Sequence, residues 1–106
     1  MQKYKTNQEE FWFKEFGNNY IDRNLGSNNR MLTIGKALKS SKIRLKSALE
    51  LGCNVGYNLD AIKKTYKNID LYGVEINKKA FEICRNNHTC FNESILNFKT
   101  DKKFDL

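Results

Sequence analysis

The stretch Glu50-Leu-Gly-Cys-Asn-Val-Gly-Tyr-Asn58 sets two glycines behind a carboxylate. A glycine after a short apolar run lets the backbone turn sharply and lets a ligand come close, because no Cβ blocks it. The free N–H groups of a following helix would favour an anionic or polar ligand. Asn54 takes the middle place, and asparagine tolerates left-handed backbone angles better than other non-glycine residues. Such a turn can cradle a nucleotide. Further on, Leu71-Tyr-Gly-Val-Glu75 ends in a second carboxylate. A carboxylate there can accept both hydroxyls of a ribose in charge-assisted hydrogen bonds. That reading says ribose without saying which cofactor.

Other reactive side chains carry less. His88, the only histidine, lies in Asn86-Asn-His-Thr89. It has no carboxylate or cysteine at a recognisable spacing and reads as a surface residue. Cys53, Cys84 and Cys90 are odd in number and match no zinc or redox spacing. They point to a reduced, cytoplasmic protein and to no metal.

The elements around these residues must position them. Ser47-Ala-Leu-Glu-Leu51 is a short apolar run ending at a glycine, which predicts a strand. Leu59, Ile62 and Tyr66 recur at helical spacing over 56–67. Asp70 to Ile76 predicts a second strand, and Asn77 can cap a helix holding Ala80, Phe81 and Cys84. Thr89 to Phe91 predicts a third strand, and Lys103-Phe-Asp-Leu106 the start of a fourth, with Phe104 in the core and Asp105 structural. Strands alternating with helices of this length imply α/β architecture, a parallel sheet and right-handed crossovers.

Ahead of the sheet, NQEEFWFKEF places apolar residues at helical spacing, with Asn7 as its expected N-cap. GNNYIDRNLGSNN reads as a loop with several turns. Ser27 is the expected cap of a helix over about 28–39 that buries Met31, Ile34 and Leu38. The division expected is an N-terminal helical cap over 1–40 and a sheet domain over 41–106.

Two nucleotide classes use a glycine turn after the first strand. A dinucleotide site wants G-x-G-x-x-G, whose third glycine gives close helix-to-strand packing. That register puts Tyr57 in the third place, where a tyrosine packs badly. The spacing G-x-G-x-G puts Gly52, Asn54 and Gly56 in its three places. With Glu50 just before, this resembles motif I of the class I S-adenosylmethionine-dependent methyltransferases. The resemblance implies that Glu75 and Ile76 follow the second strand at the ribose. It also implies that Ser94 meets the adenine amine and that the backbone N–H of Ile95 meets a ring nitrogen. An NAD-binding domain stays open as an alternative that must explain Tyr57.

The N-terminal segment adds detail. Thr6-Asn-Gln-Glu-Glu-Phe-Trp12, Glu15-Phe-Gly17 and Tyr20-Ile-Asp-Arg-Asn24 resemble the opening of the methylases associated with pseudaminic acid biosynthesis. By that resemblance the segment helps cover the cofactor site. Arg23 would bind the methionyl carboxylate, Trp12 or Tyr20 would shield the cofactor, and the acceptor would be a sugar-related small molecule. The family fold is a seven-stranded sheet ordered 3-2-1-4-5-7-6. This chain supplies strands 3, 2 and 1 and the first residues of 4, so it reads as an incomplete, Rossmann-like cofactor half. The alternative is a catalytically inactive fragment, or a subunit completed by self-association or a partner chain at an exposed sheet edge.

Bulk properties fit one domain. The chain has 106 residues, 40% apolar and 29% charged. Its apolar runs are too short to span a bilayer, and the opening MQKYKTNQEEF has no apolar core of a secretory signal. The net charge is +7. Lys36, Lys39, Lys42, Lys46, Lys63, Lys64, Lys78 and Lys79 are scattered rather than gathered into a stripe with aromatics. The charge therefore speaks to composition before it speaks to a nucleic-acid partner.

Overall fold

In a computed structural model, residues 5–24 and 29–106 are described, with side chains for 5–14, 16–20 and 33–106. Three helices, α1 (Asn7–Phe13), α2 (Glu15–Asn24) and α3 (Asn29–Ser41), precede the sheet. Then β1 (Ser47–Leu51), α4 (Tyr57–Thr65), β2 (Asp70–Val74), α5 (Lys78–Cys84) and β3 (Thr89–Phe91) alternate. The strands are parallel in the order β1-β2-β3. Leu51 pairs with Val74, and Val74 with Phe91, so all three strands end at one edge of the sheet. That edge, where chains leave strands for helices, is where ligands bind in open α/β sheets.

Residues 105–106 hydrogen-bond alongside β1 without forming a strand. The Asp105 N–H donates to Ser47 O at 3.1 Å, and the Leu49 N–H to Leu106 O at 3.1 Å. The Asp105 carboxylate accepts from the amides of Lys46 (2.7 Å) and Ser47 (3.2 Å), fixing the start of β1. Half-buried Phe104 meets Tyr72 edge-on at 5.6 Å. The segment lies where a fourth strand was expected, but no strand is formed over 103–106.

The core lies between the sheet and the helices beside it. Leu59 and Val74 are fully buried, joined by Ala48, Ile62, Ile69, Leu71 and Cys84. Ile34 and Leu38 of α3 pack on this cluster, as their spacing predicted. Tyr66 also packs on this cluster, and its hydroxyl donates to Ile43 O, just beyond α3, at 2.6 Å. Ser27 lies outside the described residues, and the Met31 side chain outside the described side chains.

Two local expectations are corrected. Thr6, not Asn7, caps α1: its Oγ1 accepts from the Glu9 N–H at 3.1 Å, and Glu9 Oε1 accepts from the Thr6 N–H at 2.9 Å. Thr6-Asn-Gln-Glu9 is a capping box, in which two orphan amides are satisfied reciprocally. The run expected as a loop is helical from Glu15 to Asn24. Aromatic packing outweighs the low helix propensity of its glycine and asparagines. Phe16 stacks on Phe11 at 4.1 Å, and Tyr20 meets Trp12 edge-on at 5.5 Å. The chain breaks between α1 and α2 at Lys14, whose backbone is extended. Gly17 then passes so close that a Cβ would lie 1.8 Å from Trp12 O.

Candidate functional site

A cavity of about 530 Å³ opens at the carboxyl end of the sheet. Its floor is the turn after β1. The Gly52 and Cys53 amides both donate to Val74 O, at 2.7 and 3.1 Å, which pins the turn to the end of β2. Gly52 has φ +77° and open space where a Cβ would stand. Asn54 takes the left-handed conformation expected of it, φ +52°, and its N–H donates to Glu75 Oε1 at 2.8 Å.

Gly56 has a different task. Its φ is +99°, it is the N-cap of α4, and it does not line the cavity. A Cβ there would lie 2.9 Å from Cys84 Sγ and 3.1 Å from the His88 ring. The glycine lets α4 pack against α5 and the turn after it. Glu50 also stands outside the lining. It accepts from Asn58 Nδ2 at 2.5 Å, and Asn58 is the residue that reaches the cavity.

Glu75, Ile76, Ser94 and Ile95 all line the cavity. Buried Glu75 spans the turn: its second oxygen accepts from the Asn77 N–H at 2.8 Å. Burial pushes its carboxyl above the usual range, against the lowering effect of the amides of Asn77, Asn54 and Ile76. Two of the roughly four lone-pair sites of a carboxylate are thus taken, and others remain for a ligand. Ser94 is buried in a turn, where its Oγ accepts from the Leu96 N–H at 3.2 Å. Arg23 lies on α2, but its side chain is outside those described.

The N-terminal helices form the opposite wall, through Glu9, Trp12, Gly17 and Tyr20. Glu9 meets the Ser94 hydroxyl, which, ahead of the opposing effect of burial, holds its carboxyl below the usual range; the amides of Lys5 and Thr6 add to this. Asn77 fastens the wall. Its Oδ1 caps α5 by accepting from the Ala80 N–H at 2.9 Å. Its Nδ2 donates to Trp12 O at 2.9 Å, Phe13 O at 3.2 Å and Asn18 Oδ1 at 2.8 Å. The last carbonyls of a helix have no partner within it, and this side chain satisfies two of them for α1.

Asn77→Asp separates these two duties. Aspartate caps as well as asparagine, but it sets a carboxylate against three acceptors. We expect α1 and α2 to detach at a cost of about 1–3 kcal/mol, the usual penalty for unsatisfied buried groups. The single tryptophan, Trp12, should shift its emission to the red while the cooperative melting of the sheet survives. Unchanged emission would show that Asn77 does not hold the wall.

Sequence reasoning found the cap role of Asn77 but not this tether, because only the fold brings residue 77 to residue 12. It also missed Glu9, although the capping-box spacing of Thr6 and Glu9 could have flagged it. Asn92 was missed as a brace: its Nδ2 donates to Glu75 O at 2.9 Å and Ile76 O at 3.1 Å. His88 is a correction. It is not a surface residue but has a side chain only 6% exposed, with Nε2 2.5 Å from Asp60 Oδ1. That partner is 28 residues away and comes from α4. The pair does not line the cavity.

The electrostatics of the cavity oppose those of the chain. Glu9, Glu75 and Glu93 line it, and no lysine or arginine does among the described residues. Asn58 Oδ1 is buried there without a hydrogen-bond partner among the described residues. A buried acceptor of this kind calls for a donor. The lining therefore suits a ligand that carries positive charge and hydrogen-bond donors, with ring surfaces from Trp12 and Tyr20 beside it. It suits a pyrophosphate poorly.

No protein-family model matches the sequence, and no curated protein matches it. Solved structures do match in fold. The plantazolicin methyltransferase BpumL, in complex with a pentazolic desmethylPZN analog and SAH, has a TM-score of 0.69 and 22% identity over 92% of this chain and 43% of that one. An S-adenosylmethionine-dependent methyltransferase from Clostridium acetobutylicum ATCC 824 has a TM-score of 0.60 and 16% identity over 85% of this chain and 40% of that one. Streptomyces venezuelae DesVI has a TM-score of 0.58 and 18% identity, covering 95% and 42%. The fold is thus the Rossmann-like α/β fold of class I methyltransferases. This chain spans about two fifths of the length of the structures it matches. No helix among the described residues is long and apolar enough to cross a membrane.

Proposed function

We propose that this chain is the cofactor-binding portion of an S-adenosylmethionine-dependent methyltransferase. The observation that carries this reading is that the charged side chains lining the cavity, among the described residues, are all glutamates, in a chain of net charge +7. S-adenosylmethionine bears a sulfonium and an ammonium against one carboxylate, so a wall of carboxylates attracts it. The same wall repels the pyrophosphate of NAD and the phosphates of nucleic acid. The volume lies within the range of small-molecule sites, about 300–1,000 Å³.

In this reading Glu75 accepts from the ribose hydroxyls, and Gly52 leaves room for the ligand against the turn. Ser94 and the Ile95 N–H address the adenine, and Arg23 the methionyl carboxylate. Bound S-adenosylmethionine supplies an already activated methyl group. The task of the protein is to hold it, exclude water and leave the methyl open to an acceptor, which is mostly positioning. Trp12 and Tyr20 on α1 and α2 give the water-excluding wall, so residues 1–40 act as a cap on the domain formed by 41–106. Transfer further requires acceptor-side residues, and this chain spans only about two fifths of the matched structures. The N-terminal resemblance supports a sugar-related acceptor in pseudaminic acid or surface-glycan metabolism, and the free cysteines support a cytoplasmic setting.

Titration calorimetry with S-adenosylmethionine and with NAD tests the reading. Saturable binding of the first and none of the second is expected. A folded sample that binds NAD, or that fails to bind S-adenosylmethionine, would overturn it.

A further inference from the structure

Cys53, Cys84 and Cys90 are scattered in sequence, and the fold gathers them. Cys53 follows β1 in the turn, Cys84 ends α5, and Cys90 is the middle residue of β3. Their three sulfurs lie within 4.8 Å of one another. Cys53 Sγ and Cys84 Sγ are 3.8 Å apart. Zn–S bonds of about 2.3 Å in a tetrahedron set neighbouring sulfurs about 3.8 Å apart. The thiols thus stand near the spacing of metal ligands without being bridged to one another.

Glycines make room for two of the sulfurs. A Cβ on Gly73 would lie 2.6 Å from Cys53 Sγ, and one on Gly56 would lie 2.9 Å from Cys84 Sγ. Cys53 and Cys84 are buried, while Cys90 is only partly so and offers a way in. Sulfur donors without oxygen select soft or borderline ions such as Zn²⁺ over Mg²⁺ or Ca²⁺.

We infer that Cys53, Cys84 and Cys90 form a three-thiolate site for a thiophilic divalent ion of the Zn²⁺ class. Binding replaces three S–H bonds by three S–metal bonds. The three protons pass to solvent, and the ion gives up water ligands in exchange. No electron is transferred. A fourth position stays with water. The bound ion would tie the turn after β1 to α5 and β3, bracing the cavity floor from behind. Cys53 also lines the cavity, but none of the three sulfurs is a proposed cofactor contact.

The test titrates the reduced full chain anaerobically with Cd²⁺, followed by the ultraviolet thiolate-to-metal band, and with Zn²⁺ against a chelating dye. One ion per chain and release of roughly three protons are expected, because thiols must ionise to bind metal. Cys90→Ser is the variant of choice, because its side chain is the least buried of the three, and circular dichroism checks that it folds. Its affinity should fall by more than about 100-fold, since even outer-shell partners are worth about 10–100-fold. His88→Asn should bind the ion as the parent does. A folded parent chain that binds no Cd²⁺ stoichiometrically overturns the inference. So does a folded Cys90→Ser that binds with unchanged affinity.

Discussion

Replacing Glu75 with alanine is expected to weaken S-adenosylmethionine binding by about 1.5–3 kcal/mol, the usual worth of hydrogen bonds to a charged group. That is a loss of roughly ten- to a hundredfold in affinity. The reason is double. The variant removes the acceptor proposed for the ribose hydroxyls, and it leaves the amides of Asn54 and Asn77 without the oxygens they reach at 2.8 Å. The turn that shapes the cavity floor then loses one of its ties to the end of β2, keeping those of Gly52 and Cys53 to Val74 O. Calorimetry on the folded variant is the measurement, and an unchanged affinity would remove Glu75 from the site.

The same residue predicts opposite pH trends for binding and for folding. Burial raises the folded-state pKa of Glu75 above the ordinary carboxylate value. The ionised form accepts hydroxyl protons better, so affinity should decline on acidification at a pH above that of an ordinary glutamate. For the unliganded chain the sign reverses. The contribution of Glu75 to stability is full below its unfolded pKa and is lost as pH rises through the raised folded value. Ligand should therefore stabilise the chain more at neutral pH than in mild acid. A melting-temperature shift on ligand addition that shrank as pH rose through that window would contradict this.

The second large effect is on stability. Gly56→Ala should cost about 2–5 kcal/mol, combining a left-handed backbone penalty of about 1–2 kcal/mol with overpacking of about 1–3 kcal/mol. In a domain of this size that lowers the melting temperature by on the order of 10–20 °C. The strain comes from φ +99°, and the overpacking from a Cβ 2.9 Å from Cys84 Sγ and 3.1 Å from the His88 ring. Gly52→Ala is the comparison. Its φ is +77°, but the space at its Cβ is open, so only the backbone term applies and about 1–2 kcal/mol is expected. Equal destabilisation of the two variants in thermal denaturation would show that crowding at Gly56 is not the cause.

These variants show why the glycine motif was legible and its meaning only partly so. Three places with left-handed or glycine-like demands are visible as Gly52, Asn54 and Gly56, and all three have positive φ. Their types cannot say which of them faces a ligand. Gly52 borders the cavity, whereas Gly56 serves the packing of α4 on α5. Glu50 shows the same limit, since its spacing flagged it and its side chain works through Asn58.

The strands were readable because short apolar runs ending in glycine or asparagine have few other uses. Ser47–Leu51 and Thr89–Phe91 form as expected, and the second strand ends at Val74 rather than Ile76. The run 17–24 was misread because asparagine and glycine signal turns, while the aromatic contacts that make it helical come from neighbouring residues in space. His88 was misread for the same reason.

By itself, then, the sequence determined the alternation of strands and helices, the glycine turn and the acid at the end of the second strand. Each of these is a local matter, settled by side-chain periodicity and allowed backbone angles over a few residues. The tertiary structure alone decided that Asn77 fastens the N-terminal wall, that His88 meets Asp60 and that three distant cysteines converge. It also decided that a basic chain turns an acidic face to its cavity. Contacts between residues 28 to 65 positions apart have no period or spacing to announce them; they exist only once burial of the core has brought the elements together.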